Sequence, residues 1–286
     1  MLTLEIFTDP MMGLSYQSEP FIRYLETHFT DQLEIKNRMG GLVRDVFDWL
    51  NPADLILSEE TALDRYNQQL GAIYRSEESI SRLPMDMRNC QLFSQTERSS
   101  TPLNLAYKTV EILAPKRAEN FLYRLRFETI VGMKQTTKLS VLINIASQFG
   151  LDPQEFETTY HSQVVKQALK NDWQDSARLN IRGLPLYRLT YKEKTIALSG
   201  VLNTEQFLNV IKQLTNGDIE PKPISPNLNH LSQLIEKHPL ISPQEIMSVY
   251  DLTHLDDVQT FIQPLLDKNF IKLKPVYHGW FIEKTS

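Results

Sequence analysis

The chain has 286 residues, enough for two domains, and its 41% hydrophobic and 23% charged content is that of a globular protein, which excludes a largely disordered chain. A net charge of −5 and a pI near 5.7 exclude the basic footprint of a general nucleic-acid binder, and no run of about 18 apolar residues is present to span a bilayer. The single cysteine, Cys90, excludes any disulfide, CxxC redox pair or cysteine-ligated zinc site within one chain.

Leu2, Leu4 and Ile6 alternate with Thr3 and Glu5 at the period of a strand. This N-terminus has neither the basic residues nor the long apolar run of a secretion signal, so a cytoplasmic protein is expected. Phe21, Ile22, Leu25 and Phe29 share one helical face, and Leu33 and Ile35 return to strand alternation, which predicts a parallel β-α-β start closed by Gly40-Gly41. The period then turns helical, through Leu103, Ala106, Val110 and Leu113, then Phe121, Leu122 and Leu125, then Leu139, Leu142, Ile145 and Phe149. Residues 76–102 lack a clear period and are expected as a long loop. Asp152-Pro153-Gln154-Glu155 offers a capping carboxylate, a first-turn proline and a Glu that can reach back, predicting one helix from there to about Asn171.

Beyond Gly183-Leu184-Pro185, Leu186–Tyr191 and Thr195–Leu198 read as a β-hairpin around a polar turn at 192–194. Asn203 then precedes a helix bearing Phe207, Val210, Ile211 and Leu214, ended by Asn216-Gly217, residues tolerant of the left-handed conformation. Strand, helix, strand, helical block, strand pair and helix is the order of an α/β thioredoxin fold. The predicted division is a domain over 1–217, with its core at about 1–41 and 176–217 and a large helical insertion at about 42–175. Three prolines within 218–226 predict a stiff, extended linker. In 227–286, Ser242-Pro243-Gln244-Glu245 is a capping box, another helix runs from Asp256 to Leu266, and Phe270 to Ile282 reads as two short strands, so a small winged-helix-like domain is expected.

A winged helix that reads DNA needs cations on its phosphate-facing side. Residues 227–286 carry five (Lys237, Lys268, Lys272, Lys274, Lys284) against seven anions (Glu236, Glu245, Asp251, Asp256, Asp257, Asp267, Glu283), a net of −2, and the would-be recognition helix opens on Asp256-Asp257. A protein partner is therefore expected instead, with Lys272, Lys274, Tyr277, His278 and Trp280 a small wing that remains the argument for nucleic acid. The six histidines, His28, His161, His230, His238, His254 and His278, show no metal-ligand spacing, and no metal or other cofactor is expected.

In thioredoxin-like enzymes the CxxC motif lies between the first strand and first helix, where the helix N-terminus stabilises a thiolate. Here the junction reads Asp9-Pro10-Met11-Met12-Gly13-Leu14-Ser15-Tyr16, with Glu19-Pro20 following. This resembles the DsbA-family pattern of Asp-Pro before Cys-x-x-Cys and Glu-Pro after it, and the match puts Met12, Gly13, Leu14 and Ser15 on the CxxC positions. Neither Met12 nor Ser15 can carry a disulfide. Pro185 matches the superfamily's cis-proline. A serine serves the glutathione thiolate in kappa-class transferases and hydroxychromene-carboxylate isomerases, but there it replaces the first cysteine, the place of Met12. Ser15 is therefore read as a helix N-terminal residue satisfying backbone donors. Arg88 could favour a Cys90 thiolate if the two approach, and a lone thiol still permits a mixed disulfide with a partner.

Asp9-Pro10 to Glu19-Pro20, Ser100-Thr101-Pro102, Leu151-Asp-Pro-Gln-Glu-Phe156 with His161-Ser162, Glu220-Pro-Lys-Pro223, Val249-Tyr-Asp-Leu252 and His278-Gly-Trp-Phe281 together resemble the YjbH or SpxH group. These are DsbA-like ClpXP adaptors that bind the transcription regulator Spx. The resemblance implies a redox-inactive adaptor with Spx and the ClpXP protease as partners and no small-molecule substrate. This chain lacks the vestigial CxxC and the Cys/His-rich N-terminal preface of many relatives, which puts thiol or zinc sensing in doubt. The expected partner surface is Met12, Leu14, Tyr16, Leu184 and Pro185, with a strand-addition contact at the cis-proline loop. The alternative is a DsbA-like thiol oxidoreductase or isomerase, or a glutathione-dependent enzyme using Ser15.

Overall fold

A computed structural model of the chain describes residues 1–201 and 203–285. Leu202, inside the expected 1–217 domain, and Ser286, the end of the expected 227–286 domain, lie outside the described residues. Strand β1 (Leu2–Thr8) is followed by α1 (Gly13–Gln17), α2 (Glu19–Phe29) and β2 (Leu33–Met39). The helical insertion contributes α3 (Pro52–Leu55), α4 (Glu59–Glu77), α5 (Thr101–Leu113), α6 (Ala118–Ile130), α7 (Leu139–Gln148), α8 (Pro153–Tyr160) and α9 (Gln163–Arg178). The hairpin β3 (Leu186–Tyr191) and β4 (Lys194–Ser199) and helix α10 (Thr204–Thr215) complete the body.

The sheet has the order β2-β1-β3-β4, with β1 and β2 parallel and the other pairs antiparallel. This is the DsbA-like thioredoxin arrangement. One core joins Leu2, Leu4 and Ile6 to Phe21, Leu25 and Phe29 of α2 and to Phe207, Ile211 and Leu214 of α10. A larger one is built by the insertion and takes in Met11 and Tyr16 from the β1–α1 turn.

Two local expectations change. The helix expected from 153 to about 171 is two helices, because Ser162 Oγ accepts from Val165 N and starts a new one after Tyr160. The hairpin turn is only Lys192-Glu193, since Lys194 already pairs with Tyr191. The 78–100 stretch is irregular, as the missing period suggested.

The C-terminal region holds α11 (Leu228–Lys237), β5 (Leu240–Ile241), α12 (Pro243–Tyr250), α13 (Leu255–Asp267), β6 (Ile271–Val276) and β7 (Gly279–Lys284), with sheet order β5-β7-β6. It packs on the body. Phe281 of β7 meets Phe127 of α6 edge-to-face with centroids 4.9 Å apart, and α12 lies along α2. The segment between α10 and α11 is held down as well as extended. His28 of α2 sets Nδ1 2.9 Å from the Lys222 carbonyl and Nε2 2.9 Å from the Val249 carbonyl, and Lys222 N donates to the His28 carbonyl at 2.7 Å.

Between α2, α6 and α12 lies a buried charge network. Arg23 donates to Glu245 Oε1 at 3.0 Å, pairs with Glu26, and lies 3.5 Å from Glu119 and 4.0 Å from Glu19. Glu245 is the capping-box residue of α12, and its other oxygen accepts from Ser242 N, Ser242 Oγ and Tyr123 OH.

Candidate functional site

The β1–α1 turn is fixed by Asp9, which is fully buried. Its Oδ1 accepts from Met11 N at 3.0 Å, and its Oδ2 accepts from Leu42 N at 2.7 Å, Ser100 Oγ at 2.8 Å and Asn104 Nδ2 at 2.8 Å. Burial pushes its carboxyl up while these donors pull against it. One carboxylate thereby joins the turn, the segment after β2 and the start of α5. β3 pairs with β1 so that Leu186 faces Phe7, and the Leu184–Pro185 loop leaves the sheet at the same end as the turn. The Leu184–Pro185 bond is cis.

Of the expected surface residues, Met12 and Pro185 are buried, and Leu14 and Leu184 are partly exposed. Tyr16 is a correction: it is fully buried, and its hydroxyl donates to the Pro84 carbonyl at 3.1 Å, so the 78–87 stretch lies between it and any partner. Ser15 is a second one. It does not cap the helix; Met12 occupies the N-cap position without a side-chain bond, and Ser15 Oγ accepts from Thr8 Oγ1 at 2.8 Å. Arg126 Nη2 donates to the same Thr8 hydroxyl at 2.8 Å and its Nη1 pairs with Glu19, so a fixed cation and its counter-ion lie beneath the turn.

Helix α4 closes the turn from outside. Tyr74 donates its hydroxyl to the Met11 carbonyl, and Glu77 lies against Gly13, where a Cβ would overlap its carboxylate and come within 2.8 Å of Tyr74 Cδ1. Sequence reasoning missed this cover. Helical spacing marks which residues of α4 face inward, but nothing local says which part of the sheet they meet. Glu77 Oε2 is buried with no hydrogen-bond partner, and burial raises its carboxyl to about 7. A folded-state value above the ordinary 4.5 means the native protein binds protons more tightly, so stability falls as pH rises from about 4.5 to about 7. Glu77→Gln should remove that decline. Since the side chain is only about half buried, the expected gain is about 1 kcal/mol at pH 8, vanishing near pH 4, by urea unfolding at the two pH values.

Cys90 does not supply a missing thiol. It is buried in the insertion core, and burial pushes it up to about 11. Arg88, which could have favoured a thiolate, donates instead to Asp86 at 2.8 and 2.9 Å and lies over the Tyr277 ring. Glu26, Glu119 and His238 form an acid–histidine cluster among the described residues, with donor atoms within 4.8 Å. Arg23 already sits among them. Its Nη1 donates to His238 Nε2 at 2.7 Å while His238 Nδ1 faces Asn120 Oδ1 at 3.2 Å, the pattern of a neutral imidazole. Burial and the Arg23 charge hold His238 down at about 4, in keeping with that form. The place a metal would take is filled by a guanidinium.

A protein-family model described as Thioredoxin matches residues 6–209. The chain belongs to the thioredoxin family. This family member is also similar along its length to two proteins named ClpXP adapter protein SpxH. The one from Halalkalibacterium halodurans is 23% identical over 97% of this chain and 88% of its own, and the one from Bacillus subtilis is 23% identical over 100% and 90%. These relatives support the SpxH resemblance carried by the scattered motifs. Among solved structures, a putative protein disulfide isomerase from Nitrosomonas europaea matches with a TM-score of 0.61 at 17% identity, covering 76% of this chain and 98% of its own. A probable DsbA oxidoreductase from Streptomyces coelicolor matches at 0.53 and 20% identity, covering 79% and 94%. Both show the thioredoxin-family fold alone. No helix among the described residues is long and apolar enough to cross a membrane.

Proposed function

We propose that this chain is a redox-inactive cytoplasmic adaptor that binds an Spx-type transcription regulator and promotes its degradation by ClpXP. The observation that carries the reading is a β1–α1 turn without a thiol, closed by Tyr74 and Glu77, in a chain similar over its full length to proteins named as ClpXP adapters. Methionine and serine at the redox positions cannot form the mixed disulfide that thiol exchange requires. Binding is the work left to the scaffold. A delivery complex needs only micromolar affinity, about −8 kcal/mol.

Leu14 and Leu184, flanked by Met12 and Pro185, are the part of the expected surface open to a partner. The helix–strand–helix–helix–strand–strand order after residue 227 supports the winged-helix reading. As a DNA reader it is poorly equipped, because Lys272 lies 3.2 Å from Glu283, Lys274 lies 4.0 Å from it, and Arg124 of the body shares the same carboxylate.

The test is degradation of purified Spx by ClpXP with and without the chain. The expected result is a severalfold shorter Spx half-life at micromolar chain, and an unchanged half-life would overturn the reading. For the thiol-oxidoreductase or glutathione alternative, insulin reduction and a glutathione titration should both be silent. Turnover that disappears in Ser15→Ala would establish that alternative.

A further inference from the structure

Residues 45–64 contain six carboxylates, Asp45, Asp48, Asp54, Glu59, Glu60 and Asp64, and no lysine, arginine or histidine. This stretch of 20 residues holds more negative charge than the net −5 of the whole chain. Arg98 pairs with Asp45 and Arg65 with Asp54, while Asp48, Glu59, Glu60 and Asp64 have no ion-pair partner among the described residues. Within the same stretch Trp49 is 57%, Ile56 84% and Leu57 63% exposed, the last two among the most open large apolar side chains of the molecule.

The segment has a defined shape. Asp45 accepts from Phe47 N to cap a short 3-10 turn, Asn51 accepts from Ala53 N to cap α3, and Ser58 accepts from Thr61 N to cap α4. Val46, Leu50, Ala62 and Leu63 are buried beneath it. The backbone is thus pinned from below while Trp49, Ile56 and Leu57 are held out to solvent. A single exposed leucine is ordinary, but three large apolar side chains within nine positions, framed by unpaired charge of one sign, have the composition of an interface.

We infer that this ledge, from the 3-10 turn through α3 to the first turn of α4, docks a partner segment in which lysines or arginines alternate with apolar side chains. Charge complementarity selects that occupant. An acidic segment would be repelled by the four unpaired carboxylates, and a purely apolar one would leave them without counter-charge. Trp49 is the natural anchor, being large and stiff, and the acids set orientation and association rate. The inference deepens the adaptor reading, because it names a docking surface and the chemistry of what docks there.

The experiment is a titration of the full-length chain against two labelled 14-residue peptides, followed by fluorescence anisotropy. One peptide places Lys and Leu at amphipathic helical spacing, and the other has Glu for every Lys. The ledge should bind the Lys/Leu peptide with a Kd of micromolar order and the Glu/Leu peptide not measurably, with binding weakening as salt rises. Ile56→Ser with Leu57→Ser should weaken it about tenfold or more, the size expected from losing two buried apolar contacts. Glu59→Gln with Glu60→Gln and Asp64→Asn should remove most of the salt dependence. All these residues are exposed, and circular dichroism checks that each variant folds. Equal binding of both peptides, no binding of either, or variants that bind like the parent would overturn the inference. So would a dimer of the parent chain that disappears in the Ile56/Leu57 variant, since the ledge would then be covered by a second copy. Neither Spx nor ClpXP enters the titration. Peptide binding with no effect on Spx degradation removes the adaptor reading alone, whereas accelerated degradation with no selective peptide binding removes the ledge alone.

Discussion

Arg23→Met should lower the stability of the full chain by about 3–5 kcal/mol, the cost of leaving buried charges without their counter-ion. The Arg23 side chain is 1% exposed and is surrounded by Glu19, Glu26, Glu119 and Glu245. Methionine keeps most of the volume, so the loss reports charge and hydrogen bonding more than a cavity. With the guanidinium gone, the Glu19, Glu26 and Glu119 carboxyls, which its charge holds down, titrate higher in the folded protein. Acids with raised folded values destabilise increasingly as pH rises through those values, so the deficit should be largest near pH 8 and shrink toward pH 5. Urea unfolding of parent and variant across that range checks both size and slope. A deficit below about 1 kcal/mol at pH 8 would mean the network contributes no more than a surface pair does.

Asp9→Ala should cost about 3–4 kcal/mol, because it leaves two backbone N–H groups, a hydroxyl and an amide without their shared acceptor in a dry site. Asp9→Asn should recover about half of this, since its oxygen can take the Oδ2 place and keep three donors while its amide nitrogen meets the Met11 N–H. Hydrogen exchange adds a local readout. The Met11 and Leu42 amides, which now donate to Asp9, should lose protection by more than the fall in global stability explains. Uniform loss across the chain would place Asp9 among general core residues and deny it a particular hold on the turn.

The features legible in the sequence are those whose causes lie within a few residues. The strand at Leu2–Ile6, the helix after Asn203, the capping box at Ser242 and the left-handed Asn216-Gly217 ending are all borne out because each is determined by its neighbours. The absence of a thiol at Met12 and Ser15 was equally plain. Features depending on distant residues were not legible. Tyr16 read as a surface aromatic because nothing near it announces Pro84, and Glu245 read only as a cap because Arg23 stands 222 positions away. The Asp152–Asn171 helix failed for a different reason. His161-Ser162 is compatible with a continuous helix or with a new cap, and packing of α8 and α9 on α5 favoured the latter.

The His28 clamp gives the proline-bearing segment a mechanical meaning. The two ring nitrogens of His28 face two main-chain carbonyls, Lys222 in the segment and Val249 near the end of α12, so one side chain of α2 holds both against the body. The segment behaves as a rivet rather than a leash. Whatever is gripped by one end of the molecule is carried at a set bearing to the other, and cutting the chain near residue 217 would unseat a fastening instead of freeing an independent module.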